Sequence, residues 1–137
     1  MSTTKGFSAE EKAAMRARAK ELKAAAEGEE AIQAALAKMT PDDRALGERI
    51  HAIVKKTTPD LTPKTWYGMP AYANADGKTV VFFQDSGKFG YRYSTLGFQD
   101  AANLDDGSMW PVAFALTTKL TKADEGKIAK LLAQAVS

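Results

Sequence analysis

The chain has 137 residues, of which 45% are hydrophobic and 26% charged, and it carries a formal net charge of +2. These values are typical of one globular domain. The absence of cysteine excludes disulfides, thiolate metal sites and cysteine nucleophiles. Basic and acidic residues are mixed along the chain, so we expect no nucleic-acid partner.

The first part of the chain predicts helices. Ser8 and Glu11 have the spacing of a capping box at the start of an alanine-rich helix over residues 8–26. We predict that Gly28 breaks this helix and that a second short helix covers residues 29–39. Residues 1–40 are therefore predicted as a helical extension, and residues 41–137 as the main domain. The apolar stripe of the extension is thin, so the extension is either solvated or an arm that docks on the core or on a second copy in a homodimer.

A further helix is predicted from Thr40 and Pro41 to Thr58, because threonine caps helices and proline suits their first turn. Its apolar residues recur at helical spacing and predict a core-facing stripe. His51, the only histidine, lies next to this stripe. A lone histidine without cysteine is typical of a structural residue and excludes multi-histidine metal sites.

From Trp66 the pattern becomes strand-like. We predict strands over residues 69–72, 79–84 and 88–94, with turns at 74–77 and 85–87. Phe89, Tyr91 and Tyr93 would share one face of the third strand. Residues 96–106 are predicted to be irregular, a last strand follows near residues 112–116, and Thr121 caps a C-terminal helix. The predicted fold class is α+β: an antiparallel sheet of four or five strands, with helices on one face and the other face partly open.

Aromatic residues are the main binding candidates, because all of them except Phe7 lie between Trp66 and Phe114. Ligand pockets are mostly apolar with a few placed polar groups, and Arg92 or Lys88 could supply these. The alternative is that most of the rings are core residues. The residues predicted to bind a ligand are Trp66, Tyr67, Met69, Tyr72, Arg92 and Trp110. Whether the Trp110–Pro111 peptide bond is cis or trans is left open.

Three aspartates in one loop are the metal candidates: Asp100, Asp105 and Asp106. Carboxylate oxygens suit iron, manganese, magnesium or calcium. The alternative is that these side chains bond their own backbone in turns. No nucleophile elbow, phosphate loop or dinucleotide fingerprint occurs, so we do not expect an enzyme.

Residues 1–7 contain no apolar run, and no segment approaches the about 18 apolar residues of a membrane span. We therefore expect a cytoplasmic protein with no leader and no membrane partner.

One segment indicates a family. Residues 66–72, Trp-Tyr-Gly-Met-Pro-Ala-Tyr, are followed by Gly77-Lys78 and the apolar residues 80–83. This combination resembles the YdhG-like family of small bacterial α+β domains, mostly of unknown function, and the resemblance covers roughly residues 42–136. It implies a frataxin-like sandwich. One branch of that family is a frataxin-like intracellular iron chaperone, which implies iron binding through surface carboxylates.

These observations predict a binding domain of the YdhG-like type. Its surface would be built from residues 66–72, Arg92 and the loop over residues 100–110. The ligand, a small molecule or a protein, is left open. The two alternatives are an iron chaperone and a homodimerising interaction module.

Overall fold

The computed structural model describes residues 7–137, which form four helices and a five-stranded antiparallel sheet. The predicted α+β class is confirmed. The first six residues of the predicted extension lie outside the described part, and so does most of the segment in which a leader was not expected. In chain order the elements are α1 (Ala9–Ala37), α2 (Pro41–Thr57), β1 (Thr62–Trp66), β2 (Met69–Ala73), β3 (Thr79–Gln84), α3 (Ser86–Phe89), β4 (Ser94–Phe98), β5 (Ala113–Leu116) and α4 (Lys122–Ala135).

Helix α1 is continuous, so the prediction that Gly28 divides it into two helices was wrong. The predicted capping box is present: the amide of Glu11 donates to the Ser8 hydroxyl and the amide of Ser8 donates to the Glu11 carboxylate, both at 3.0 Å. Gly28 is buried against β1, and a Cβ atom there would lie well under 3.0 Å from the Pro63 carbonyl oxygen. The glycine therefore permits a close approach between helix and strand backbone, and does not end the helix.

The two halves of α1 differ in burial. Every side chain from Ala9 to Ala24 is exposed, whereas Gly28, Ile32 and Leu36 are buried. Because an α-helix rises about 1.5 Å per residue, the exposed half is about 24 Å long along the helix axis. The last third of the predicted extension thus contributes side chains to the hydrophobic core.

Helices α2 and α4 match their predicted starts. The Thr40 hydroxyl accepts the amide of Asp43 at 3.3 Å, and Thr121 and Asp124 form a reciprocal capping box. Both helices bury an apolar stripe against the same face of the sheet and pack against each other. The buried side chains of this core include Leu46, Ile50, Val54, Tyr72, Val81, Phe83, Leu96, Phe98, Leu116, Ile128 and Leu132.

The sheet is a simple meander, in which each strand pairs antiparallel with its neighbour in the chain. Strand β1 precedes the segment where the sequence predicted the first strand. Strand β4 starts at Ser94 and continues into residues predicted to be irregular. The predicted strand over residues 88–94 was also wrong, because residues 86–89 form α3 and Gly90 ends that helix with a φ of 70°. Local capping by glycine in the left-handed region outweighed the alternating pattern.

The face of the sheet away from the core helices carries its own aromatic cover. Phe82 and Gly97 are opposite each other in the register of β3 and β4. A Cβ at Gly97 would collide with the Phe82 ring, so glycine lets this ring lie across β4. The ring of Trp66 lies 5.2 Å from that of Phe82, centroid to centroid. This face is therefore partly covered by two rings, while Ala113 and Ala115 of the edge strand β5 remain exposed.

All peptide bonds in residues 7–137 are trans, including the bond before Pro111. Across the same residues, the structure contains no helix that combines the length and the apolar character needed to span a membrane.

Candidate functional site

The meander divides the connecting segments between two ends of the sheet. The β1–β2 turn at residues 67–68 and the β3–β4 connection at residues 85–93 lie at one end, which we call the hairpin end. The connections over residues 74–78 and 99–112 lie at the other, the opposite end. Trp66, Tyr67 and Arg92 are therefore together at the hairpin end. Trp110 and the aspartates at 100, 105 and 106 are at the opposite end, so the single predicted surface does not form.

Two of the predicted ligand-binding residues are interior. Met69 is 4% exposed and Tyr72 is 1% exposed. Tyr72 contributes to the core between β2 and α2, where its hydroxyl lies 2.8 Å from His51 Nδ1. These two side chains support the sheet and cannot reach a ligand at its surface, which corrects the sequence-based expectation for both.

The β1–β2 turn presents an exposed aromatic ring. Tyr67 and Gly68 both have positive φ, 49° and 75°, as the tightest two-residue hairpin turns require. Glycine, asparagine or aspartate normally fills the first of these positions, because a bulky side chain in the left-handed region is strained. Tyr67 is nevertheless 77% exposed, and its ring lies edge-on to that of Trp66 at 5.0 Å. The turn thus holds a phenol ring in solvent at a conformational cost.

The β3–β4 connection adds more rings and two cations. Phe89 and Tyr91 are exposed, with ring centroids 6.3 Å apart, and Tyr93 follows at 6.1 Å from Tyr91. The guanidinium of Arg92 lies 5.2 Å from the centre of the Tyr93 ring. Lys88 reaches the hairpin, because a Cβ at Gly68 would be 3.0 Å from its Nζ. The hairpin end therefore combines exposed aromatic faces with cations.

A groove of about 530 Å³ lies beside this aromatic rim. One wall is α1, where Ala31, Ala34 and Ala35 leave room that larger side chains would fill. The other wall is formed by the β1–β2 hairpin and α3. The charged groups in its lining are Lys38, Asp85 and Lys88, and the polar ones include the hydroxyls of Thr40 and Thr65. The size is within the range of small-molecule sites.

An acidic residue from α2, Asp43, holds the start of α3. The Ser86 hydroxyl donates to its two carboxylate oxygens at 2.8 and 3.1 Å, and the Gly87 amide donates to one of them at 3.0 Å. Asp85 is the residue that normally would cap α3, yet its side chain makes no capping hydrogen bond. Because Asp43 occupies the capping position, the Asp85 carboxylate is left at the groove.

A buried polar network ties α1 to α2 and the sheet. His51 Nε2 lies 2.8 Å from a carboxylate oxygen of Glu29, and its Nδ1 contacts the Tyr72 hydroxyl. Because a carboxylate only accepts, Nε2 carries the proton of the bond to Glu29. Gln33 and Lys55 also donate to Glu29, both at 3.0 Å.

The pKa values in this network follow from its geometry. Partial burial acts to raise the pKa of Glu29, but hydrogen bonds from Gln33, Lys55 and His51, with the charge of His51, outweigh burial and lower it to about 2. Burial, with a smaller effect of the Glu29 charge, raises the pKa of the Tyr72 phenol. The network therefore holds an ionised Glu29 carboxylate and a neutral Tyr72 phenol at physiological pH.

The predicted metal residues do not converge. Asp100, Asp105 and Asp106 are exposed, and no group of three or more histidine, cysteine or acidic side chains in residues 7–137 has a geometry that could hold a metal ion. The carboxylates present here thus do not fit an iron site. A second cavity of about 380 Å³ at the same end is lined mainly by residues 57–61, 74–75 and 135–137. Trp110 packs against the core near this end.

Sequence reasoning missed the groove. Lys38 lies in a helix predicted to be separate from the main domain, and Asp85 has the pattern of an ordinary turn aspartate. The two come together only because α1 crosses the hairpin, and a local pattern carries no signal of that contact. The predicted residues Trp66, Tyr67 and Arg92, and Lys88 among the polar candidates, do lie at this end.

Comparisons of the chain with models of known protein families, with curated proteins and with solved structures found no significant match.

Proposed function

We propose that this protein is a binding domain of the YdhG-like type that holds its ligand at the hairpin end of the sheet. The observation that carries this proposal is Tyr67, a large ring that is 77% exposed with a positive φ. Strained residues persist where surrounding structure and function require them. A turn selected only for folding would place asparagine or glycine here.

The surroundings of Tyr67 support the proposal. Aromatic rings bind apolar surfaces and cations, while Lys88 and Arg92 attract anionic groups. Neither cation has an acidic partner within residues 7–137. Arg92 lies instead on the Tyr93 ring, and Lys88 extends toward the hairpin turn. Both charges are therefore free to meet a ligand that carries negative charge.

A binding role is better supported than catalysis. The order Glu29–His51–Tyr72 has the arrangement of a proton relay, but His51 and Tyr72 are buried in the core. Neither of the two cavities described above is lined by any of these three residues. A relay needs a reacting atom within hydrogen-bond reach. A structural role, in which these three side chains hold α1 to α2 and to the sheet, explains all of their contacts.

The two tryptophans allow a direct test, because they lie at opposite ends of the sheet. With selective excitation of tryptophan, the variant Trp110→Phe reports on Trp66 alone, and the variant Trp66→Phe reports on Trp110 alone. We expect ligands from a fractionated extract of small molecules, added to these variants, to change the fluorescence of Trp66 and leave Trp110 unchanged. Tyr67→Asn should abolish the response without loss of the fold, because asparagine accepts the positive φ of this turn.

A matched control is Met109→Asn, which removes an exposed apolar side chain at the opposite end. It should leave the Trp66 response intact. A response confined to Trp110, or one that survives Tyr67→Asn unchanged, would contradict binding at the hairpin end.

The two alternatives have less support. The exposed carboxylates do not form a metal site in the described residues. The exposed half of α1 carries Met15 and Leu22 as its large apolar side chains. Two such side chains give too little surface to identify a second copy as their partner.

A further inference from the structure

We propose that the groove between α1, α3 and the β1–β2 hairpin binds a small amino-acid-type zwitterion with an additional negative charge. In this arrangement the ammonium of the ligand meets Asp85, and its carboxylates meet Lys38 and Lys88. The inference rests on the proposed function, since the groove lies at the hairpin end, and it adds the chemical class of the ligand.

Asp85 is the first argument. The residue is only 9% exposed. Within residues 7–137 its carboxylate makes neither a capping hydrogen bond nor an ion pair. The usual role of an aspartate at this position, capping the helix that follows, is carried out by Asp43 from α2. No buried side-chain oxygen or nitrogen of the described residues lacks a hydrogen-bond partner, so the unpartnered oxygens of Asp85 still reach solvent at the groove that this residue lines. A cationic ligand group there would supply the ion pair that the described residues do not.

The lysines are the second argument. Lys38 and Lys88 line the same groove as Asp85, one from the end of α1 and one from α3. Neither forms an ion pair within residues 7–137, although ion pairs join other lysines of the chain, such as Lys55, to glutamates. The groove therefore offers two positive charges and one negative charge. None of the three forms an ion pair within residues 7–137.

This charge pattern defines the ligand class. A simple dianion would place negative charge against Asp85, and a simple amine would leave the two lysines unmatched. A ligand with one ammonium and two carboxylates matches all three groups. The alanines of α1 keep the groove open, and its volume of about 530 Å³ accommodates such a molecule.

The test compares L-glutamate with two relatives, each of which lacks one of its charged groups. L-Glutamate has the amine and both carboxylates, glutarate lacks the amine, and 4-aminobutyrate lacks one carboxylate. Calorimetric titration of the full chain should show L-glutamate binding at least about tenfold more tightly than either relative. In Asp85→Asn this preference over glutarate should disappear, because the group that recognises the amine is gone. Lys88→Met should weaken L-glutamate and glutarate alike.

Asp60→Asn is the matched control, because it makes the same chemical change at the other cavity. It should leave the affinity for L-glutamate unchanged. Denaturant unfolding of each variant shows that the fold is retained. The inference is overturned if L-glutamate binds more weakly than about 10 mM, if glutarate binds as tightly, or if Asp85→Asn keeps the wild-type preference.

These outcomes are separable from the failure of the proposed function. If none of the three probes binds but another compound changes the fluorescence of Trp66, the ligand class is wrong and the hairpin-end site stands. If no compound affects Trp66 and none of the three probes binds, both proposals fail.

Discussion

At the scale of single residues, Glu29 links the stability of the fold to pH. Its pKa is about 2 in the folded protein, below the ordinary value of 4.5. A depressed carboxyl pKa contributes stability above the unfolded value and loses it as pH falls. We expect a loss of unfolding free energy between about pH 4.5 and pH 2, and this loss should be smaller in Glu29→Gln. Denaturant unfolding in a pH series measures the difference.

Three other carboxyls with lowered pKa values, Glu11, Asp124 and Glu125, remain in both proteins. They contribute equally to the two acid profiles, so the difference isolates Glu29. Parallel profiles for wild type and Glu29→Gln would show that the contacts of Glu29 with His51 and Lys55 do not stabilise the fold.

Two aspartates near α3 should respond in opposite directions to the same substitution. Asp43→Asn weakens the hydrogen bonds from Ser86 and Gly87, so we expect a loss of about 1–2 kcal/mol. Asp85→Asn removes a negative charge from a largely buried residue whose carboxylate caps no helix and forms no ion pair within residues 7–137, so we expect a gain of up to about 1 kcal/mol. Chemical denaturation of the two variants tests the pair. A loss in Asp85→Asn similar to that in Asp43→Asn would assign Asp85 a structural role.

At the scale of elements, replacing glycine by alanine should change stability in opposite directions in α1 and α4. Alanine is a better helix former than glycine by about 1 kcal/mol. At Gly28, however, a Cβ would collide with the backbone of β1, and we expect Gly28→Ala to lower the free energy of unfolding by about 2 kcal/mol. At Gly126 in α4, a Cβ would meet no atom within 4 Å, so Gly126→Ala should stabilise by about 0.5–1 kcal/mol. Thermal unfolding compares the two.

The sequence predicted elements well where capping chemistry is local. The starts at Ser8, Thr40 and Thr121 are confirmed, because each cap bonds an amide three residues away. It failed at Gly28, where the reason for glycine is a contact with Pro63 that is distant in the chain. It also failed over residues 88–94, because alternation there belongs to exposed rings and not to a strand.

At the scale of the whole molecule, α1 should behave as two parts. Ala19→Pro interrupts the exposed half, so we expect lower helical circular dichroism with little change in the unfolding free energy of the domain. Ala34→Pro interrupts the half that carries Ile32 and Leu36 into the core, and should cost about 3 kcal/mol. Equal losses in both variants would mean that the exposed half also stabilises the domain.

The candidate site was predicted in part. The aromatic content of residues 66–93 indicated the hairpin end, since a meander brings its first and third connections to the same end. The same meander places residues 99–112 at the opposite end, which separated Trp110 from Trp66. Composition shows which side chains are present, whereas the direction of each strand decides which of them meet.

The edge strand β5 has a consequence for association between molecules. It is four residues long and its outer side is not paired with another strand of the sheet. Pro111, two residues before it, has no amide hydrogen to offer to an incoming chain. At the other margin α1 lies across β1. The free edge that this domain offers to another chain is therefore short and is preceded by a proline, and both features disfavour addition of a further strand from a second molecule.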